Sequence, residues 1–239
     1  MDPEVESILG KLEGKAPEEG IEEAREYLEQ GDPTEEERDD LVYGIAVGYF
    51  HLGAHKRTLQ WLEKSNDDRR ALLSGFCYME NDQYEKAADA LERASELQPE
   101  YESETHIMKG QAHFFNEDYD QARSVFHEVL EHPLSDDQNA ETLLSLSMVE
   151  MSDDNVQQAR DHLQKIVTEF SHTDFKLEAM YYLCESLESL GKVDEAVEFA
   201  ERLKREGEDT SWEERAGELL QRLRGHQSNR EEQLRNYEF

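Results

Sequence analysis

Residues Asp68–Tyr101 read DRRALLSGFCYMENDQYEKAADALERASELQPEY, and this stretch decides the fold. Ala71, Gly75 and Tyr78 precede a polar turn; Tyr84, Ala87, Leu91 and Ala94 follow it. Spacings of three, four and seven place each set on one face of a helix. The Gly and Ala positions let two antiparallel helices approach closely, so the segment predicts a helix–turn–helix pair.

The same local pattern recurs along the chain. A polar or acidic turn is followed by an aromatic or β-branched residue, then by Ala three places on: Ile21 to Ala24, Tyr84 to Ala87, Tyr119 to Ala122, Val156 to Ala159 and Val193 to Ala196. Gly110 and His113 stand before Ala122, and Phe126, Val129 and Leu130 after it. From Ala87 to Ala122 is 35 residues, and the next two intervals are each 37. Counting backward, Ala24 to Thr58 is 34 and Thr58 to Ala87 is 29, so two less regular units precede the good ones. A period of this size means stacked helical hairpins, each burying one thin face against the next.

On these residues the chain resembles the tetratricopeptide repeat (TPR) family. Gly75, Tyr78, Tyr84, Ala87, Leu91, Ala94 and Pro99 stand where the family favours small, aromatic and proline residues, and Gly110, Tyr119, Ala122, Phe126 and Pro133 repeat the pattern. Lys109, His113 and Glu150 replace large apolar or aromatic residues, and Thr58 replaces the turn Ala. The resemblance implies an all-α, right-handed solenoid of stacked antiparallel helix pairs, about six TPR-like units with a C-terminal capping helix. The expected divisions are a degenerate first repeat over 1–37, with a leading helix broken by Gly10, Gly14 and Pro17, and TPR-like repeats over 38–209. A capping helix over 210–224 follows, begun by Thr210 or Ser211, carrying Trp212, Ala216, Leu219, Leu220 and Leu223, and ended by Gly225. The polar tail 225–239, with isolated Leu234, Tyr237 and Phe239, completes the chain.

The resemblance also implies a concave groove lined by the first helices of successive units. Its residues here are Tyr43, Val47 and Phe50; Leu72, Phe76 and Met79; Ile107, Gln111, Phe114 and Phe115; Leu144, Met148 and Met151; and Tyr181. Nearly all are apolar or aromatic, which suits an amphipathic helix or an extended peptide. Glu80, Glu104, Gln111, Glu141 and Glu178 give the groove polar and acidic margins, favouring a partner with basic edges. Some family members grip a C-terminal carboxylate with basic residues on these helices. Arg69 is the one basic residue at equivalent positions here, which argues against that mode.

Charge narrows the partners further. The 239 residues hold 58 acidic against 25 basic side chains, a formal net charge of -33. Such a surface repels nucleic acid and anionic membrane, so no nucleic-acid or membrane partner is expected. This includes the RNA-reading helical repeats of similar period. The acidity suits either a neutral or basic protein partner or a high-salt medium in which screening relieves self-repulsion. If the medium is the reason, the melting temperature rises across a salt series; a flat or falling series removes that explanation.

Chemistry is not indicated. His51 and His55 straddle a turn, His106 and His113 are seven apart, and no HExxH pattern is present, so no metal site is expected. Asn116, Asp118 and Asp120 resemble the start of a calcium loop, but no Gly follows at the sixth position. Cys77 and Cys184 are too few to staple the chain and lie three units apart, which fits buried small residues. No phosphate-cradling loop, nucleophile elbow or paired CxxC occurs. With no signal-peptide core and no membrane-length apolar stretch, the expectation is a cytoplasmic, non-enzymatic, cofactor-free scaffold or chaperone-like adaptor. The alternative is a self-associating assembly protein, a homo-oligomer whose groove or terminal helix packs on another copy.

Overall fold

The computed structural model describes residues 1–14 and 16–237, the last nine of these by backbone alone. Among the described residues the chain is all-α, with thirteen α-helices, one short 3-10 turn and no strand. It divides into two compact units, the first ending at Asp118 and the second beginning at Tyr119.

The first unit holds α1 (Pro3–Leu12), α2 (Pro17–Gln30), α3 (Glu35–His51), α4 (His55–Leu62), α5 (Arg70–Met79), α6 (Tyr84–Leu97), the 3-10 turn Pro99–Tyr101 and α7 (Glu102–Phe115). Each helix packs on its successor, and α1 also meets α3. The second unit holds α8 (Tyr119–Leu130), α9 (Asp136–Ser152), α10 (Val156–Glu169), α11 (Lys176–Ser189), α12 (Val193–Glu206) and α13 (Ser211–Tyr237). Successive helices pack here too, and α9 meets α11 as α11 meets α13. Helical hairpins packed in succession are therefore the construction of both units, with added first-helix contacts between α1 and α3 and between α9 and α11.

One backbone device makes the turns repeat. Gly53, Asp82, Glu117, Asp154 and Gly191 all take left-handed conformations, with φ of 67, 55, 63, 57 and 72°. Each lies five residues before the Thr or Ala that marks its repeat. At the first of them the Gly53 N–H donates to the Phe50 carbonyl and the Ala54 N–H to the Tyr49 carbonyl, both at 2.9 Å. This is the paired-bond helix ending that satisfies the last carbonyls of a helix and reverses the chain. Glu117 is the residue least suited to it, because a side chain in this conformation costs about 1–2 kcal/mol that Gly avoids. Allowing for the greater freedom of Gly in the unfolded chain, Glu117→Gly should stabilise the protein by about 0.5–1 kcal/mol. A urea midpoint that stays put or falls would show that the turn is not strained.

The core sits between the hairpins. Four places after each turn Thr or Ala stands Leu62, Leu91, Phe126, Leu163 or Ala200, all buried. The first helix answers with a small residue. A Cβ at Gly75 would lie 2.7 Å from Leu91 Cδ2, so Gly there is what admits Leu91.

Two helix ends differ from the sequence reading. Helix α1 is not broken by Gly10: Asp2 caps it, Pro3 occupies its first turn, and Val5, Ile8 and Leu12 bury one face against Ile21, Ala24, Leu41 and Ile45. That packing outweighs the roughly 1 kcal/mol that Gly costs inside a helix. Pro17, expected to disrupt, opens α2 at a position where its missing N–H is no loss.

Helix α13 likewise runs through Gly225 rather than stopping there. It starts where expected, with the Trp212 N–H donating to the Thr210 hydroxyl at 3.2 Å. Arg222 reaches Glu188 at 2.9 Å, Arg224 reaches Glu201 at 2.8 Å, and the Gln227 amide donates to Asp194 at 2.6 Å. These ties to α11 and α12 hold the helix across the glycine. The side chains of Leu234, Tyr237 and Phe239 lie outside the described residues.

Candidate functional site

The first-helix positions fall into two sets, one in each unit. On α3, Tyr43, Val47 and Phe50 are half-buried against Ala46, Leu62, Leu73 and Trp61. Their fourth neighbour is Phe76 of α5, whose ring centroid lies 6.3 Å from that of Phe50. Phe76 remains 38% exposed, so this layer is apolar and open. Leu72 is half-buried beside it, and Met79 packs with Tyr78 against Ala87, Ala88 and Ala112.

A second aromatic group closes α7. Phe115 is 50% exposed, sits edge-on to Phe114 at 5.3 Å, and stacks on Tyr84 of α6 at 5.4 Å. Tyr84 counted only as a repeat-marking residue in the sequence, although its place at the start of a second helix sets it opposite the end of a first helix. Gln111, one turn earlier on α7, is half-buried.

In the second unit, Met148 and Met151 of α9 are half-buried, and the Ser186 hydroxyl donates to the Met151 sulfur at 3.7 Å. Tyr181 of α11 is covered from the terminal helix. Trp212 lies 5.9 Å from its ring, and the Arg215 guanidinium sits over both rings at 4.7 and 4.4 Å.

Two expected groove residues are not on a surface. Ile107 is 2% and Leu144 6% exposed, and Leu144 belongs to the core cluster with Leu163, Met180 and Leu183. Both α7 and α9 bury more than one stripe, so a position that faces the groove in a narrower-packed unit turns into the core here.

The charged residues are mostly committed. Arg69 lies over the Tyr43 ring at 4.4 Å and pairs with Asp67 and Asp40, so its charge is balanced from within the chain. Lys109 pairs with Glu92. Arg123 binds Glu150 at 2.9 Å and Asp153 at 2.6 Å, while Asn155 donates to the same Glu150 carboxylate. The two departures at Lys109 and Glu150 are thus ion pairs between helices.

The cysteines are not poised for chemistry. Cys77 and Cys184 are buried, and desolvation pushes each thiol up to about 12, which keeps it protonated near neutral pH. Among the described residues no group of three or more His, Cys, Asp and Glu side chains could hold a metal ion, and no helix is long and apolar enough to cross a membrane.

The fold and these surfaces define a helical-repeat protein. Tetratricopeptide repeat models match residues 71–101 and 107–174, the segments on which the repeat is best marked. These two segments are tetratricopeptide repeats, a motif that supports a protein–protein interaction scaffold. Among solved structures it is similar to MamA, from residue 41 to its end, of Desulfovibrio magneticus RS-1. That match has 17% identity and a TM-score of 0.60 over 73% of this chain and 99% of that one. It is also similar to PilF of Pseudomonas aeruginosa, with 19% identity and a TM-score of 0.62 over 93% and 95% of the two chains. The apo form of RapI gives 13% identity and a TM-score of 0.68 over 95% of this chain and 74% of that one. At these identities the likeness is one of fold. No curated protein matches the sequence.

Proposed function

We propose that this chain is an adaptor that holds a partner protein by a peptide segment, laid on the aromatic and aliphatic layer of α3 and α5. The observation that carries the reading is the open Phe50–Phe76 pair on consecutive first helices, with Tyr43, Val47 and Leu72 beside it. Large rings held by packing lose little freedom when a ligand covers them, which makes them effective anchors. The net charge of -33 selects a segment with basic margins and speeds its arrival.

The test is a selection from displayed random twelve-residue peptides on the wild type, counter-screened on Phe76→Glu. Peptides kept by the wild type should combine apolar and basic residues and bind Phe76→Glu at least tenfold more weakly, about 1.4 kcal/mol. Equal binding to both would move the site elsewhere. Sedimentation of the peptide-free wild type separates the self-associating alternative: a mass that doubles with concentration, lost in Phe76→Glu, would mean that a second copy occupies this face.

A further inference from the structure

Helix α4 has eight residues, whereas its counterpart α6 has fourteen. The shortfall of six equals the difference between the 29-residue interval from Thr58 to Ala87 and the 35-residue interval that follows. Over that interval α4 stops short at its end, while α5 is also shorter than α7, ten residues against fourteen, and the longer α4–α5 connection offsets most of that second difference. Past Leu62 this leaves a cavity of about 380 Å³ between α4, α5 and α6. Leu59, Leu62, Ala71 and Ala90 supply its apolar lining.

The polar lining is the opposite of the chain's surface at large. Arg70, Lys86 and Arg93 face this cavity with Glu63 and Asp89, a local excess of positive charge in a protein of net charge -33. Arg70 donates to the Ser65 carbonyl and Lys86 to the Gln83 side chain at 2.9 Å. None of the three cations pairs with a carboxylate among the described residues. Arg93 is exposed and has no hydrogen-bonded partner among the described residues.

We propose that this notch is a second docking site, which receives about two helical turns of a partner protein in the place of the missing end of α4. Six residues of helix span about 9 Å. The incoming turns present aliphatic side chains to Leu59, Leu62 and Ala90, and an Asp or Glu to Arg70 and Arg93. An arginine–carboxylate pair partly shielded in such a cleft is stronger than an exposed one, and it specifies the ligand's direction. The site shares Leu62 with the cluster beneath the Phe50–Phe76 layer but has the reverse charge preference, so the two would engage different segments.

The experiment uses the full chain carrying Phe76→Glu, which disables the first surface, as bait for a displayed library of twelve-residue helices with randomised outer positions. A second bait has Glu92–Leu97 copied in after Leu62, which restores α4 to fourteen residues. The expected result is enrichment of sequences with Asp or Glu beside Leu, Ile or Met, retained by the first bait and lost by the refilled one. Adding Arg93→Glu to the first bait should weaken their binding at least tenfold. Long-range repulsion from the protein disfavours acidic peptides, so an acidic consensus can arise only from the local cations. Absence of enrichment, a basic consensus, or unchanged affinity in the Arg93→Glu bait would each overturn the proposal. Arg93 is a surface residue with no partner among the described residues, so that arm stands even if the refilled chain does not fold.

Discussion

Replacing Arg123 by Ala should destabilise the protein by about 3–5 kcal/mol, the range found when one partner of a buried ion pair is removed. An exposed pair would be worth no more than about 1 kcal/mol, so burial decides the matter. The Glu150 side chain is 3% exposed and that of Arg123 22%, so the carboxylate left behind has little access to water. Asn155 still donates one hydrogen bond to it at 2.9 Å, which places the expected loss toward the lower end. Asp153 and Asp120 are exposed and lose little. Urea unfolding followed by circular dichroism measures the loss. Arg123→Met combined with Glu150→Leu should recover most of it, since a pair of apolar side chains of similar volume replaces the salt bridge without leaving a buried charge. If the single variant lost under 1 kcal/mol, the network would be a surface ornament and the reading of Glu150 as a buried, satisfied acid would be wrong.

Phe126→Ala should cost about as much, roughly 3–5 kcal/mol, for a different reason. Phe126 is the largest fully buried side chain, and it occupies the position four after the repeat Ala of α8. Equivalent positions hold Leu91 and Leu163, which are also fully buried, so the surroundings are built for a large residue. Truncation leaves a cavity that rigid neighbouring helices fill poorly. Ala200 is the instructive exception: it is a buried Ala at the same position, in the cluster that includes Leu219, Leu220 and Leu223 of α13. A Phe126→Leu variant should recover more than half of the loss. A loss below 2 kcal/mol for Phe126→Ala would mean that α8 can collapse onto the gap.

Much of this was legible because the repeat writes its geometry into small residues. Gly75 facing Leu91, and the Thr or Ala after each turn, needed only spacing to be found. Helix ends were less legible. Gly10 and Gly225 read as breaks from local preference, yet α1 is held by Val5, Ile8 and Leu12, and α13 by ion pairs and hydrogen bonds to helices distant in sequence. The left-handed turn residue could be anticipated at Gly53 and Gly191 but not at Glu117, which has no conformational preference for it. For the site, the carried-over positions include Phe76 and Phe115, which are exposed, and Ile107 and Leu144, which the core takes, because membership of a first helix does not fix how wide a face that helix buries. Arg123 with Glu150 was hidden as two separate oddities 27 residues apart, which only folding brings to 2.9 Å.

On the proposed function, the open face of α3 and α5 holds a partner segment. The most direct test is the binding isotherm of one apolar–basic peptide, selected on the wild type, measured against three chains: the wild type, Phe76→Glu, and Leu97→Glu as a control at the exposed end of α6. Phe76→Glu should bind at least tenfold more weakly with unchanged helicity, and Leu97→Glu should keep wild-type affinity. Equal affinity in the wild type and Phe76→Glu, with the peptide bound in both, would contradict that function.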